Sequence, residues 1–358
     1  MTFRARQNST GIALIIVMIA IAVFSALAAM LWASMKVETE LARRADDEQQ
    51  LLWLGRSGVE YARWILAQEA SIAGEPYDSL NQIWAGGPGG PGETNSVLAG
   101  ISLDDYPVGD GTVSLKITDL ERKANINTAD TPELQQALTL MGVDADSISV
   151  VADSIQDWID PDDAPRVAGA ENDYYQSLTP PYNAKNAPID DLTELLLVKG
   201  VTPEMYYGGS PSDGDVPQHP KLGFGIAPGQ EPDYPFGLKD IFTPVSSGLI
   251  NINTAGTNVL QMIPGVDANI ADAIIQQRAG PDGVDGTDDD VPYRSTGQLA
   301  ATGLNSQAVQ QLGRYCTVRS STFDVQVTAK IGDSTRVFHA ILYRNSGTDI
   351  QVVGFYWE

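Results

Sequence analysis

The chain has 358 residues, 46 acidic against 22 basic, a formal net charge of −24, and a single cysteine, Cys316. This composition excludes an internal disulfide under any redox conditions, and it argues against the basic footprint of a nucleic-acid-binding surface. The length suffices for one large domain or two smaller ones.

Taken from the N-terminus, the first element is the apolar run GIALIIVMIAIAVFSALAAMLWA, Gly11 to Ala33, in a stretch with no charge between Arg6 and Lys36. A helix needs about 20 apolar residues to cross the hydrocarbon core of a bilayer, and this run supplies them. A cleaved secretory signal has an apolar core of only about 7–15 residues and a small-residue cleavage site. The reading is therefore a retained transmembrane helix. Arg4 and Arg6 precede it with no acidic neighbour, which places the N-terminus in the cytoplasm and the rest of the chain in a periplasm-like space.

The run follows a short, polar, positively charged leader that ends in Gly11. Such a leader resembles the class III signal of the type IV pilin and pseudopilin superfamily. That resemblance implies cleavage after Gly11 by a prepilin peptidase and N-methylation of the new first residue, Ile12. Most members carry a Glu at the fifth mature position, where this chain has Ile16. An acidic side chain at a membrane helix centre costs about 2.5–3.5 kcal/mol, so it persists only where a partner compensates. In the superfamily the partner is the N-terminal amine of the subunit ahead, and a subunit with nothing ahead of it needs no such Glu.

The helix is expected to run on to about Ala70, because Leu51, Leu54, Gly58, Ala62, Ile65 and Leu66 recur at spacings of three and four. That face is expected to pack on the sheet of its own domain. Trp53, Tyr61 and Trp64 add aromatic surface available to partner helices. Gly86 to Gly92, GGPGGPG, reads as an exposed flexible loop with no chemistry. Strands are expected at Ile101 to Leu103 and at Thr112 to Thr118, with Asp110-Gly111 as the turn between them. A matching set closes the chain at Phe323 to Ile331, Arg336 to Tyr343 and Ile350 to Trp357. In the second of these, apolar residues on both alternating sets make both faces candidates for burial. His339 lies in that strand with no Cys or second His near it, and reads as a packed or surface residue.

Between the two sets of strands lies an internal repeat. Asn125-Ile-Asn-Thr-Ala129 recurs as Asn251-Ile-Asn-Thr-Ala255. Each copy continues with an apolar helix (Pro132 to Met141; Asn258 to Ile263) and a tight turn (Gly142-Val-Asp-Ala145; Gly265-Val-Asp-Ala268). A second helix follows (Ser147 to Ile159; Ile270 to Arg278). Thr131 and Thr257 are the expected N-caps, with Pro132 at the first helical position. A partial third copy spans Asp190 to Tyr206, with Lys199-Gly-Val-Thr202 as its turn. These units resemble helix-hairpin-helix motifs, of which VLQMIPGVDANIADAIIQQR is the nearest. In DNA-binding hairpins the turn reads Gly-apolar-Gly and its N–H groups meet a phosphate. Here Asp144, Asp267 and Thr202 replace the second Gly, so the hairpins read as a structural or protein-binding module.

Two acidic loops carry the clearest chemical signal. The first holds Asp160, Asp162 and Asp163, followed by Glu171 and Asp173; the second, Asp282 to Asp290, has five Asp in nine residues and includes Asp282, Asp285, Asp288 and Asp290. Two carboxylates about 4 Å apart repel by roughly 4 kcal/mol at an effective dielectric of 20. Such clusters either spread into water as solvated turns or take a hard cation. Oxygen-only ligands with interleaved Gly suit Ca²⁺ better than zinc or copper, although no Glu closes the loop as in an EF-hand. Gly208 to Pro235 reads as an irregular excursion, in which His219 has no metal-ligand spacing. No nucleophile elbow or phosphate-cradling loop appears.

The Gly-ended leader, Ile16, the NINTA repeats and the run WIDPDDAPR…GAENDYY…LTPPYNAKNAPIDDLTELLLVKGVTP together resemble the K-type minor pseudopilins of type II secretion (general secretion pathway protein K). The likeness covers nearly the whole chain, except that the second acidic loop has no match in the family pattern. It implies an α+β fold in which a long pilin-like N-terminal helix packs on an antiparallel sheet that carries a large inserted α-helical domain. The segments would be a leader (1–11), a transmembrane helix (12–35), pilin-like helix and first strands (36–124), the insert (125–317) and closing strands (318–358). It further implies a non-enzymatic, single-pass inner-membrane protein at the tip of a periplasmic pseudopilus. Its implied partners are I- and J-type minor pseudopilins and the major pseudopilin, with structural calcium in the insert. The alternative from the residues is a minor pilin of a type IV pilus or DNA-uptake filament. A membrane-anchored calcium-dependent hydrolase is the third reading, and it lacks a catalytic constellation.

Overall fold

The apolar run and the amphipathic stretch after it form one helix, α1 (Thr10–Ser71), with no proline to break it. The computed structural model describes residues 10–93, 96–209, 234–304, 309–310 and 312–357, with backbone alone at Thr10, Gly11 and Ile12. The leader before Thr10 and the excursion around His219 lie outside the described residues. Along the first half of α1 the apolar side chains face outward, and the helix is long and apolar enough to cross a membrane. Further on, Leu51, Leu54, Gly58, Ala62, Ile65 and Leu66 are all buried, as their spacing predicts, while Trp53 and Trp64 remain exposed.

After α1 come β1 (Tyr106–Val108) and β2 (Gly111–Asp119). The insert then begins with β3 (Ala124–Asn125), α2 (Thr131–Met141) and α3 (Ala145–Ile159). It continues through α4 (Asn172–Gln176), α5 (Pro203–Tyr207), α6 (Leu238–Ile241), β4 (Phe242–Thr243) and β5 (Ile250–Asn251). It ends with α7 (Thr257–Leu260), α8 (Ala268–Arg278) and β6 (Cys316–Thr317). The chain closes with β7 (Thr322–Ile331), β8 (Ser334–Ser346) and β9 (Asp349–Trp357).

Five strands form one antiparallel sheet in the order β1-β2-β7-β8-β9. Val113, Leu115 and Ile117 of β2, Val325, Val327 and Ala329 of β7, and Phe338, Ala340 and Leu342 of β8 point to one face, where the second half of α1 lies. Burying each large aliphatic or aromatic side chain contributes about 1.5–3 kcal/mol, so this layer is the main source of stability for the helix–sheet unit. The opposite face of β8 is only half covered, and Tyr343 is exposed, so the expectation of burial on both faces is not met. His339 on that face stacks on Tyr356 with ring centroids 5.3 Å apart and lies 3.7 Å from Asp324.

The edge of the sheet differs from the expectation. Ile101 to Leu103 is not a strand; the Leu103 carbonyl accepts one bond from Leu115 N–H at 2.7 Å. The edge position belongs to β1, whose Val108 pairs with Gly111, so the two-residue turn is Gly109-Asp110 rather than Asp110-Gly111. Gly109 has φ +59°, which favours glycine at the first turn position. Gly86 to Gly92 is also not the free loop expected, because Gly87, Gly89 and Gly92 are half-buried and Gly90 is buried.

The repeated NINTA segments have a shared physical role. In each, the first Asn ends a short parallel bridge, β3 with β4 or β5 with β6. Its Oδ1 accepts the N–H two residues on (Asn127 at 2.9 Å; Asn253 at 3.0 Å). The second Asn then imitates a strand partner. Asn127 Nδ2 donates to Ile189 and Pro244 carbonyls while its Oδ1 accepts Ile189 N–H; Asn253 does the same with both backbone groups of Tyr293. A side-chain amide carries an N–H donor and a C=O acceptor on separate atoms in one plane, as a peptide does, which explains Asn at both positions.

Helix ends sharpen the repeat reading. Asp130, not Thr131, caps α2, in a capping box with Glu133 that satisfies two otherwise orphaned donors. Gly256, not Thr257, precedes α7, without a side-chain cap. The hairpin glycines Gly142, Gly200 and Gly265 adopt φ of +83°, +85° and +85°. Asp267 caps α8 by accepting Ile270 N–H at 2.9 Å, so its carboxylate occupies the helix end that a phosphate would need.

Candidate metal centre in the inserted domain

The first acidic loop hangs from the C-terminal end of α3. Asp157, fully buried in the last turn of that helix, accepts Arg166 N–H and the Arg166 guanidinium at 2.8 Å. The same guanidinium bonds one oxygen of Asp160. Ala168 N–H donates to Asp153 at 3.1 Å, and Lys199 Nζ donates to the Gly169 carbonyl at 2.9 Å. Gly169 is pressed so close that a Cβ there would stand 1.9 Å from Asp157 Oδ2. These bonds fold residues 160–171 back over α3.

Three oxygen ligands converge in that fold. Atoms of Asp160, Asp162 and Glu171 all lie within 4.8 Å of one another. Glu171 is 3% exposed, and neither of its carboxylate oxygens has a hydrogen-bond partner; Asp160 Oδ1 is likewise buried and unpartnered. Burial, then the carboxylates of Asp157, Asp160, Asp163 and Asp162, pushes the Glu171 carboxyl up to about 7. An unpartnered buried carboxylate among others is unfavourable unless a proton or a cation joins it.

Not every expected ligand is there. Asp163 turns outward and accepts from Asn172 Nδ2 at 2.9 Å, and Asp173 is exposed in the first turn of α4. The second loop does not gather Asp282, Asp285, Asp288 and Asp290 into one group among the described residues. Arg278 forks onto Asp285 at 2.9 and 2.6 Å, Asp282 accepts Val284 N–H, and Asp290 accepts Gly286 N–H, while Asp288 is exposed. Local donors and one arginine consume the charge that a cation would otherwise balance. Conversely, Asn186 went unanticipated. It has φ +48°, its Nδ2 donates to the Asp162 carbonyl at 2.6 Å, and its Oδ1 is buried without a partner. Its only sequence signal is its place in the run NAKNAP.

This geometry coincides with a family pattern. Residues 114–211 match the model for the type II secretion system (T2SS), protein K. Type II secretion system protein K of Pectobacterium carotovorum is 25% identical over 97% of this chain and 96% of its own length. The protein K of Pseudomonas aeruginosa is 24% identical over 97% and 92%. Along nearly its whole length this chain is similar to the K-type proteins of type II secretion. That likeness supports a minor pseudopilin of protein transport over a pilus or DNA-uptake subunit. The fold agrees: a chain of the GspK-GspI-GspJ complex from the enterotoxigenic Escherichia coli type 2 secretion system superposes with a TM-score of 0.61. That alignment covers 88% of this chain and 99% of the other at 17% identity.

Proposed function

We propose that this K-type pseudopilin is the tip subunit of a periplasmic pseudopilus, with a structural rather than catalytic role. The supporting observation is an uninterrupted membrane-length helix joined to a bulky insert that grows from one corner of the sheet. In this reading the cytoplasmic leader is cut after Gly11 by prepilin peptidase, and α1 leaves the inner membrane to enter the helical core of the filament. I- and J-type minor pseudopilins pack beside it and the major pseudopilin adds below, because the insert is too wide for a subunit above. Ile16, on an exposed apolar stretch of α1, carries no charge to meet an amine ahead of it. The test is purification of the full chain from membranes with its sister pseudopilins. Expected are I- and J-type partners and a methylated Ile12. A chain that purifies alone, or an Ile16→Glu variant that raises filament recovery, would sink the tip reading.

The proposed calcium site consists of Asp160, Asp162 and Glu171, with Asn186 Oδ1 as a neutral fourth oxygen. The buried oxygens without partners support the fit, and their all-oxygen chemistry selects a hard cation. When bound, the ion supplies positive charge that offsets the repulsion and fixes the loop against α3. At calcium about 100-fold above its dissociation constant, such a site stabilises the folded state by about 2.7 kcal/mol. Replacing Asp160 and Asp162 together with Asn is expected to remove that share of the calcium-dependent rise in melting temperature. An undiminished calcium response in the double variant counts against the site.

A further inference from the structure

A second convergence of carboxylates lies outside the insert, at the end of α1. Glu69 sits in its last turn, Glu75 in the segment after it, and Glu93 at the far end of the glycine-rich loop. They are 2%, 4% and 1% exposed, and oxygen atoms of all three lie within 4.8 Å of one another. Two of them are held in place. Glu75 accepts Gly92 N–H at 2.6 Å and Gln82 Nε2 at 3.1 Å. Glu93 accepts Ile83 N–H at 3.1 Å and Gly90 N–H. Glu69 is different. Both of its oxygens are buried without a hydrogen-bond partner, and one of them lies within 4.8 Å of an oxygen of each of the other two carboxylates. Among the described residues no basic side chain forms an ion pair with any of the three.

The glycines explain themselves against this cluster. A Cβ on Gly90 would stand 2.6 Å from both oxygens of Glu75, and one on Gly92 would stand 3.0 Å from Glu75 Oε1 and 2.6 Å from Ile72. On Gly89, at φ +100°, it would stand 3.3 Å from Glu93 Oε2. The backbone is thus drawn down onto the carboxylates as a cover, and only glycine permits that approach. We propose that Glu69, Glu75 and Glu93 form a divalent-cation site of the calcium class that pins the glycine-rich loop to the end of α1. Three carboxylates and no soft donor select a hard ion. Its two positive charges would satisfy Glu69 and leave the backbone donors on Glu75 and Glu93 undisturbed. The rival is a proton shared between Glu69 and Glu93, which would hold the cluster together without metal.

The site does not depend on the calcium reading of the insert, and the experiment separates the two. In detergent-solubilised full chain carrying Asp160→Asn, Asp162→Asn and Glu171→Gln, calcium alone is titrated calorimetrically after chelator treatment. The structure predicts a remaining site. Adding Glu69→Gln, which keeps the shape and removes the charge, should weaken it on the order of 100-fold, the scale on which ligand charge tunes oxygen-only sites. No remaining calcium binding in the triple variant, or binding unchanged by Glu69→Gln, overturns the proposal; absent binding with a higher melting temperature on Glu69→Gln identifies the shared proton instead. Should the triple variant fail to fold, bound calcium per chain measured by elemental analysis decides the matter. Glu69→Gln in the otherwise native chain then lowers it by one ion, or the proposal fails.

Discussion

Gly58→Leu is expected to destabilise the helix–sheet unit by about 3 kcal/mol, the upper range for overpacking a close-packed core. The reason is the distance between α1 and the sheet. A Cβ at Gly58 would stand 2.3 Å from Val327 Cγ1 and 3.2 Å from its Cγ2, and one at Gly55 would stand 2.5 Å from the Phe338 ring. Both neighbours are fully buried, and Val327 is β-branched and stiff, so neither can yield cheaply. The smaller change decides between two effects. In an exposed helix, Gly→Ala stabilises by about 1 kcal/mol through backbone entropy. Here the clash is expected to win, so Gly58→Ala should lower the urea midpoint as well. An unchanged or raised midpoint would show that α1 stands farther from β7 than described.

The second large effect is expected from Arg344→Ala. Arg344 and Asp78 form an ion pair with side chains only 2% and 3% exposed. The guanidinium also donates to the Ser320 carbonyl at 2.6 Å and lies over the Phe323 ring at 4.8 Å. Around it are other acids: Glu121 accepts from Ser321 Oγ and Thr322 N–H, and Asp119 accepts from Thr254 Oγ1 and Asn251 Nδ2. Burial, and then the Glu121 carboxylate, pushes Asp119 up to about 7. Removing one partner of a buried ion pair typically costs about 3–5 kcal/mol, because the other charge is left without compensation. Asn251 also donates to the Asp78 carbonyl, so the loss should reach the junction between sheet and insert. Denaturation should show it, and adding Asp78→Asn should recover part of the loss. A double variant no more stable than Arg344→Ala would show that Asp78 does not depend on the arginine.

Much of this was legible in the residues. The three-and-four spacing from Leu51 to Leu66 located the helix face on the sheet, and simple alternation located β2, β7, β8 and β9. Caps were missed by one residue, because Asp130 and Thr131 are both good caps and only the backbone angle at Asp130 chooses between them. The acidic loops looked alike in sequence. They differ in where an arginine lands: Arg278 takes Asp285, whereas Arg166 takes Asp157 and one oxygen of Asp160 and leaves Glu171 unpaired. The glycine-rich loop conceals its packing in the sequence for a related reason. Glycine marks flexible chain and close backbone approach equally well, and Glu75, which distinguishes them at Gly92, lies 17 residues away in sequence.

The register of the sheet carries one more implication. Asp119 of β2 stands directly opposite Phe323 of β7, as the two residues flanking a hairpin turn would. Residues 120–322 therefore fill the place of a β-turn, and chain closure there costs only logarithmically more as the filling lengthens. Elaboration at that corner leaves the packing between α1 and the strands untouched. The insert can thus change in size or in binding chemistry while the helix–sheet unit beneath it keeps a constant shape.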